Sequence, residues 1–158
     1  MDHIADISLI KKEEIVGSTS NNTWWIPLFI AWLISFSASL LALFIGEVMG
    51  QAPCLLCWYQ RAAMFPLAIV LGLACLYEDR SVWRYALPLA VIGGAIAIWH
   101  NLLYFNLVPT PLEPCGVGPS CSSADMVVFG GLPIPTLSLV AFMGVSSCLC
   151  LVKRKATP

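Results

Sequence analysis

Four long apolar segments, separated by short polar connections, dominate the sequence. A membrane-spanning helix needs about 20 predominantly apolar residues. Three of the segments reach that length alone, and the second reaches it if its helix begins near Pro53. No series of short alternating strands predicts a membrane barrel. The pattern therefore predicts an all-α membrane protein, a bundle of four transmembrane helices over residues 24–45, 53–77, 85–107 and 132–152.

The composition supports a surface that faces lipid. Hydrophobic residues make up 59% of the 158 residues and charged residues only 11%, whereas a soluble domain carries about 25% charged residues. The net charge of −1 indicates no nucleic-acid partner. We expect a polar N-terminal tail over 1–23, one transmembrane domain over 24–152 and a basic tail over 153–158. Because a polar stretch precedes the first span, we expect that span to be retained rather than cleaved as a signal peptide.

The basic residues predict the orientation of the bundle. With four spans, both tails and the 78–84 connection share one side, and seven of the eight basic residues fall there. The positive-inside rule makes that side the cytoplasm, so both termini are expected to be cytoplasmic. The exception is Arg61, which lies at the outer end of the second span.

The same orientation divides the seven cysteines into two groups. The inner group is expected to pack as small buried hydrophobic side chains: Cys75, Cys148 and Cys150. The outer group forms two close pairs on the oxidising side, where disulfides persist: Cys54 with Cys57, and Cys115 with Cys121.

Three interpretations of the outer cysteines stay open. They could form two stapling disulfides, a zinc site with four cysteine ligands, or a relay in which two disulfides pass electrons. The C-x-x-C ring of Cys54 and Cys57 is tight, and such bridges are often reducible and catalytic. Cys115 and Cys121 enclose two glycines and a proline, which predicts a mobile loop with an exchangeable disulfide.

The residues around the first pair favour the relay. Pro53 is suited to the first turn of a helix, where exposed N–H groups and the helix dipole favour a Cys54 thiolate. Cys54, Cys57 and Arg61 stand at i, i+3 and i+7, so they share one helical face. An arginine at that depth is either an interface anchor that extends to water or the partner of an electron-rich group. A lipid-soluble two-electron acceptor would suit Arg61 and the Cys57 sulfur.

His100 is the second ionisable side chain near the outer ends of the spans. A helix-end histidine is commonly satisfied by a backbone carbonyl, but ionisable groups within spans are functional candidates. We therefore expect His100 to deliver a proton or a hydrogen bond to the same acceptor.

Several motifs together resemble the DsbB family of bacterial membrane oxidoreductases. They are "PCLLCWYQR" before the second span, "WHNLLY" in the third, a second outer cysteine pair and "IPTLSLVAF" in the fourth. The resemblance covers residues 24–152. It implies an enzyme of the bacterial inner membrane that reoxidises a DsbA-like thioredoxin-fold partner and passes the electrons to a quinone, ubiquinone or menaquinone.

The resemblance also implies roles for individual residues. Cys54 and Cys57 match the quinone-coupled pair, with Cys57 next to the quinone. Arg61 and His100 match positions of the quinone site. The second pair matches the partner-facing pair, with Cys115 forming the mixed disulfide and Cys121 leaving. No metal is implied.

One departure and two alternatives accompany this interpretation. Many DsbB proteins separate the second pair by a long loop, whereas five residues intervene here, as in the BdbC-type branch. The order of exchange between the loops, including a Cys54–Cys121 bridge, is therefore open. The alternatives are a reductive or vitamin-K-reductase-like quinone relay, and a non-enzymatic protein with stapling disulfides or zinc.

Overall fold

The computed structural model describes residues 22–108, 127–128 and 131–156. Four helices cover most of this part of the chain: α1 (Trp25–Leu43), α2 (Leu55–Leu76), α3 (Trp83–Tyr104) and α4 (Ile134–Ala156). A 3₁₀ turn over Asn22–Trp24 precedes α1, and a π-helical turn over Phe44–Val48 continues it. All four helices, α1 together with its π turn, are long and apolar enough to cross a membrane. The prediction of a four-helix all-α architecture is confirmed, and the side on which the termini lie stays a prediction.

Two predictions concern parts of the chain outside the described residues. The tail predicted over residues 1–23 falls there almost entirely, and so do Cys115 and Cys121.

The fourth helix differs from its predicted range at both ends. Leu132–Pro133 pairs antiparallel with Val127–Val128 (β2 and β1), so the helix begins at Ile134 rather than Leu132. At the other end the helix continues to Ala156, and the basic residues assigned to a separate tail form its last turn. Cations are favoured there because the carbonyl end of a helix carries partial negative charge.

The third helix ends three residues earlier than predicted. Asn106 adopts a left-handed conformation (φ 54°), a conformation that asparagine tolerates well. This turn lets the Leu107 N–H donate to the Leu102 carbonyl, which satisfies a carbonyl of the last helical turn. Leu107 therefore lies beyond the helix, although its side chain continues the apolar run.

Each helix packs against two others, α1 against α2 and α4, and α3 against α2 and α4. Large side chains fill the centre, among them Leu67, Leu71 and Phe142, and small ones let the helices approach. The Phe142 ring occupies the space beside Gly93, where an added Cβ would lie 2.2 Å from it. Small residues serve the same purpose in membrane helices generally. The outward-facing side chains are also large and apolar, as a lipid-exposed surface requires.

A buried polar node joins α3 to α4 beside the site. Asn101 Nδ2 donates to the carbonyls of Ala97 and Pro135, both at 2.8 Å. Thr136 Oγ1 donates to Asn101 Oδ1, also at 2.8 Å. Hydrogen bonds between helices hold their relative positions where no water is present to compete. The node therefore fixes the end of α3 that carries the neighbouring residue, His100.

The prediction that all three inner cysteines are buried is wrong for Cys150. Cys75 and Cys148 pack against the central core as predicted, but each is half-buried rather than buried. Cys150 is exposed. On α4 the buried positions include Val145, Leu149 and Val152. Cys150 follows Leu149 and is therefore turned about 100° away from that buried face.

Candidate functional site

Cys54 is the N-cap residue of α2. The sequence predicts Cys54 in the first turn of this helix, whereas the helix begins one residue later, at Leu55. Cys54 itself has extended backbone angles. Its Sγ accepts a hydrogen bond from the Cys57 N–H at 3.3 Å. Side-chain acceptors at this position satisfy N–H groups that the first helical turn leaves unpaired. The thiol sulfur thus takes the place of the oxygen in a serine or aspartate cap, and Cys54 is buried.

The two sulfurs of the C-x-x-C pair lie 2.9 Å apart. A disulfide bond is about 2.05 Å long, so the pair can close or open by small side-chain rotations without rearranging the helix. The spacing of three residues brings the sulfurs together because residues i and i+3 occupy the same side of the helix start.

A buried histidine and a buried glutamine lie behind Cys54. His100 Nε2 is 3.8 Å from Cys54 Sγ, and His100 Nδ1 is 3.0 Å from Gln60 Nε2. His100 and Gln60 are both buried. Because an amide NH₂ group can only donate, Nδ1 is the acceptor in this arrangement, and the proton of a neutral imidazole lies on Nε2. The ring therefore directs an N–H donor at the Cys54 sulfur.

These neighbours lower the pKa of the Cys54 thiol well below its ordinary value. The largest contribution is the hydrogen bond that the Cys57 thiol donates to the Cys54 sulfur. Burial acts in the opposite direction, and the hydrogen bonds from His100 and from the Cys57 backbone N–H lower the pKa further. A hydrogen bond to the charged form favours that form. These contacts therefore favour a thiolate at Cys54 in the reduced pair.

Arg61 lies on the same face of α2 as the two cysteines. Its Nη2 donates to the Ala42 carbonyl at 2.7 Å, and its guanidinium carbon lies 5.8 Å from the centre of the Trp58 ring. The side chain fits because residue 46 is glycine, where a Cβ would lie 3.1 Å from both terminal nitrogens. Gly46 belongs to the π-helical turn, a rare element that is frequent at functional sites.

One cavity of about 470 Å³ connects these groups. Cys54, Cys57, Gln60 and Arg61 line it from α2, and mostly apolar side chains of α1 and α4 form the opposite walls. His100 is not among the residues that line this cavity, since it is fully buried behind Cys54. The cavity is therefore apolar, with a thiol pair and a cation on one wall.

The structure brings four of the six predicted site residues together: Cys54, Cys57, Arg61 and His100. The other two, Cys115 and Cys121, lie outside the described residues, so their pairing and their approach to the first pair stay predictions. His100 contacts Cys54 directly, whereas the sequence suggested a role toward the electron acceptor.

Two features of the site were missed in the sequence. Gln60 stands within the quoted motif, and a buried amide in a membrane span is itself a sign of function. The second feature is the Ala42 carbonyl with Gly46, which receives Arg61. No local pattern marks these two positions, because they face Arg61 from another helix.

The chain is similar throughout its membrane region to proteins of disulfide formation. The family model "Disulfide bond formation protein DsbB" matches residues 22–152. A "Probable disulfide formation protein" of Metapseudomonas resinovorans is 54% identical over 135 residues, 85% of this chain and 94% of that protein. The "Disulfide bond formation protein C" of Bacillus subtilis (strain 168) is 39% identical over 128 residues, 80% of this chain and 91% of that protein.

A "Probable disulfide formation protein" of Chlamydia pneumoniae is 38% identical over 128 residues, 81% of this chain and 91% of that protein. No solved structure matches the chain significantly. The family model covers most of the chain, and these relatives align over nearly their whole length. The chain therefore belongs to the DsbB family of disulfide bond formation proteins.

Proposed function

We propose that this protein is a quinone-linked thiol oxidase that regenerates a DsbA-like thioredoxin-fold partner. Membership of a disulfide bond formation family implies oxidoreductase activity toward thiols. The observation that supports the specific proposal is the shared cavity, which places Cys54, Cys57 and Arg61 on one wall. Neither a structural disulfide nor a zinc site with four cysteine ligands needs a cation in an apolar cavity.

The residues of the cavity fit a quinone. Its volume of about 470 Å³ lies within the range of roughly 300–1,000 Å³ usual for small-molecule sites. Among the described residues, Ala42 is the one hydrogen-bond acceptor that Arg61 contacts, and a guanidinium carries five N–H donors. Arg61 can therefore donate to a quinone carbonyl oxygen as well. When bound, a quinone supplies two-electron, two-proton acceptor chemistry.

Cys57 is the residue proposed to face the quinone, and Cys54 the residue that exchanges with the second pair. When Cys54 is held in a mixed disulfide, the Cys57 sulfur is released from it and remains in the cavity with Arg61. The cation stabilises negative charge on that sulfur. Once the exchange is complete, Cys54 and Cys57 are both thiols, and re-forming the disulfide between them releases two electrons and two protons, which a bound quinone would accept.

His100 and Gln60 are proposed to control the proton of Cys54. The Nε2–H of His100 stabilises the Cys54 thiolate, which is the form that takes part in exchange. Gln60 acts as a positioning residue, since its amide selects the tautomer of His100. This role replaces the expectation that His100 contacts the acceptor directly.

The partner-facing steps rest on the family. A reduced partner's thiolate attacks Cys115 in the Cys115–Cys121 disulfide, and Cys121 leaves as a thiolate. The partner's second thiol then attacks the mixed disulfide, so the partner leaves oxidised and Cys115 is left as a thiol. The two thiols left on Cys115 and Cys121 reduce the Cys54–Cys57 disulfide in the same way. The balance is one partner dithiol oxidised for each pair of electrons transferred.

The proposed location is the bacterial inner membrane, with the site on the extracytoplasmic side. The last turn of α4 holds three basic residues, and Arg80 and Arg84 lie at the same end of the bundle. Within the described residues only Arg61 among the lysines and arginines lies at the other end. This distribution supports cytoplasmic termini by the positive-inside rule.

The test is a turnover assay with the full chain, a reduced thioredoxin-fold oxidase and ubiquinone, followed by quinone absorbance. We expect one quinone reduced for each partner dithiol oxidised. Arg61→Met should lower kcat/KM for quinone by about 10- to 100-fold, because a hydrogen bond to a charged group is worth about 1.5–3 kcal/mol. Arg61→Lys keeps the positive charge but loses the planar set of N–H donors, so its kcat/KM for quinone should lie between those of wild type and Arg61→Met.

Three results would contradict the proposal. Unchanged quinone kinetics in Arg61→Met would remove Arg61 from the site. Net reduction of the partner by quinol would favour the reductive relay. Cysteine pairs inert to both dithiothreitol and quinone would favour a structural protein.

A further inference from the structure

We propose that the reduced site binds one divalent cation of the zinc class through Cys54 Sγ, Cys57 Sγ and His100 Nε2. These three atoms all lie within 4.8 Å of one another. Two thiolates and one imidazole form a donor set that binds Zn²⁺ in proteins. The ion is not needed for the oxidase reaction. The ion binds only the reduced state of the cysteine pair, where it competes with the quinone.

The observed distances are close to those a zinc ion would impose. Zn–S bonds of about 2.3 Å and Zn–N bonds of about 2.0–2.1 Å in a tetrahedron separate two sulfurs by about 3.8 Å and a sulfur from a nitrogen by about 3.6 Å. Cys54 Sγ and His100 Nε2 are 3.8 Å apart, which already suits the ion. The two sulfurs are 2.9 Å apart, so Cys57 must move outward by about 1 Å.

Gln60 can orient His100 for metal binding. A metal-bound Nε2 must give up its proton, which leaves Nδ1 as the N–H donor. Gln60 Nε2 lies 3.0 Å from Nδ1, and a half-turn of the amide puts its oxygen there as an acceptor. Histidine ligands usually donate their second N–H to such a partner. Gln60 thus selects the Nε2–H tautomer in the metal-free site, and after its amide has turned it selects the Nδ1–H tautomer that a metal-bound His100 requires.

The cavity provides both an entry path and a fourth position. Cys54, Cys57 and Gln60 line it, so an ion can reach the sulfurs without unfolding the bundle. Three protein ligands leave one position of a tetrahedral ion open to water. That position faces the space assigned above to the quinone, so ion and quinone would exclude each other.

Binding is tied to the reduced state. Zn²⁺ binds both sulfurs as thiolates, so the proton of Cys57, and that of any protonated Cys54, is released to solvent, and no electrons move. In the disulfide the two sulfurs are bonded to each other and offer no thiolate to the ion. That a bound ion blocks reoxidation rests on the proposed function, whereas the binding itself does not.

The experiment uses the full chain with serine at the other five cysteines, Cys75, Cys115, Cys121, Cys148 and Cys150. The protein is reduced, freed of quinone and titrated with Zn²⁺ and, separately, with Co²⁺, whose thiolate absorption reports the ligands. We expect one ion per chain in the reduced protein and none after oxidation to the disulfide. His100→Ala should weaken binding at least tenfold.

A pair of variants at Gln60 separates a loss of metal binding from a loss of folding. Gln60→Leu removes the partner of His100 and should weaken Zn²⁺ binding by about 10- to 100-fold. Gln60→Glu keeps an acceptor oxygen and should bind at least as tightly as the unsubstituted chain. Equal affinity of the Leu and Glu variants, equal binding by the oxidised protein, or unchanged affinity in His100→Ala would each overturn the proposal.

A second measurement separates this inference from the proposed function. Zn²⁺ is added to the wild-type chain during quinone turnover, and inhibition is expected to compete with quinone. If the chain binds zinc as described but does not reduce quinone, the oxidase proposal fails and the metal site stands. If quinone turnover proceeds and the reduced pair binds no zinc, only the metal site fails.

Discussion

Cysteines lie near both ends of the second helix, and their surroundings differ in kind. At the start of α2, Cys54 contacts a backbone N–H, a second thiol and the His100 ring. At its end, Cys75 packs half-buried against the apolar core, as does Cys148 on α4. The chemical group is the same at each position. The thiols therefore differ in the polar groups buried beside them, and this difference predicts that they also differ in reactivity.

The two ends also use cations differently. At the end that carries Cys75, Arg80 and Lys153 lie over tryptophan rings, at 4.8 Å from Trp24 and 5.1 Å from Trp83. Arg61 also lies near a ring, but it reaches across to a carbonyl of α1 inside the cavity wall. Cations over aromatic rings at a helix end are typical of a membrane boundary. Arg61 instead lines the cavity that Cys54 and Cys57 also line.

The largest effect that tests this comparison is the loss of a sulfur. Cys54→Ser should lower quinone-dependent turnover by more than about a thousandfold, because a covalent redox centre cannot form with one sulfur. Cys75→Ser and Cys148→Ser are the matched controls at the other end, and their turnover should stay within about twofold of wild type. Steady-state assays on purified variants at equal concentration check both expectations.

Either of two outcomes would break the comparison. If Cys54→Ser keeps substantial turnover, the pair on α2 is not the electron path. If Cys75→Ser loses turnover while its thermal stability is unchanged, the cysteines of the apolar core also take part in the reaction.

A smaller effect concerns the pH at which the thiols react. Because the pKa of Cys54 is lowered, its thiolate persists as the pH falls below the range in which ordinary thiols are already protonated. At pH 6 the reduced protein should therefore react with iodoacetamide faster at Cys54 than at Cys75, although Cys54 is the more buried. Mass spectrometry of peptides from a pH series measures both rates.

Variants of His100 and Gln60 test which groups stabilise the Cys54 thiolate. His100→Phe removes a donor to the thiolate and should slow alkylation of Cys54 at pH 6 about tenfold or more. Gln60→Leu should slow it less, since the imidazole remains and loses only its fixed tautomer. If Cys54 is alkylated at the same rate in wild type, His100→Phe and Gln60→Leu, the helix start and Cys57 suffice to stabilise the thiolate.

Much of this arrangement follows from patterns that are local in the chain. Hydropathy alone predicts the four helices, since each one must present an apolar surface to lipid over its whole length. Helical spacing alone predicts that Cys54, Cys57 and Arg61 share a face, and all three line the same cavity. The helix ends were less predictable, because Asn106 and the strand pair at Leu132–Pro133 stop or delay a helix within an apolar run.

The parts that could not be predicted depend on contacts between distant positions. His100 and Cys54 are 46 residues apart, and no spacing rule states which side of α3 faces the start of α2. The same reason explains the error at Cys150, since the buried face of α4 is chosen by its neighbours. Gln60 could have been noticed as a polar residue in a span, but its partner could not.

The smallest expected effect lies in the packed region between α3 and α4, where the comparison predicts a change of stability. Gly93→Ala places a Cβ 2.2 Å from the buried Phe142 ring, and such overpacking costs about 1–3 kcal/mol. Gly94→Ala, one residue on, meets Phe142 only at 3.6 Å, an ordinary contact, so the better helix propensity of alanine should stabilise the protein by about 0.5–1 kcal/mol. Thermal unfolding in detergent should move in opposite directions for the two variants. The Phe142 ring also lines the cavity beside the cysteines, so Gly94→Ala, which leaves that ring in place, is the variant whose turnover should stay near wild type. If Gly94→Ala instead lost turnover at raised stability, the core between α3 and α4 would be coupled to the cysteine site, and the separation between the two regions would fail.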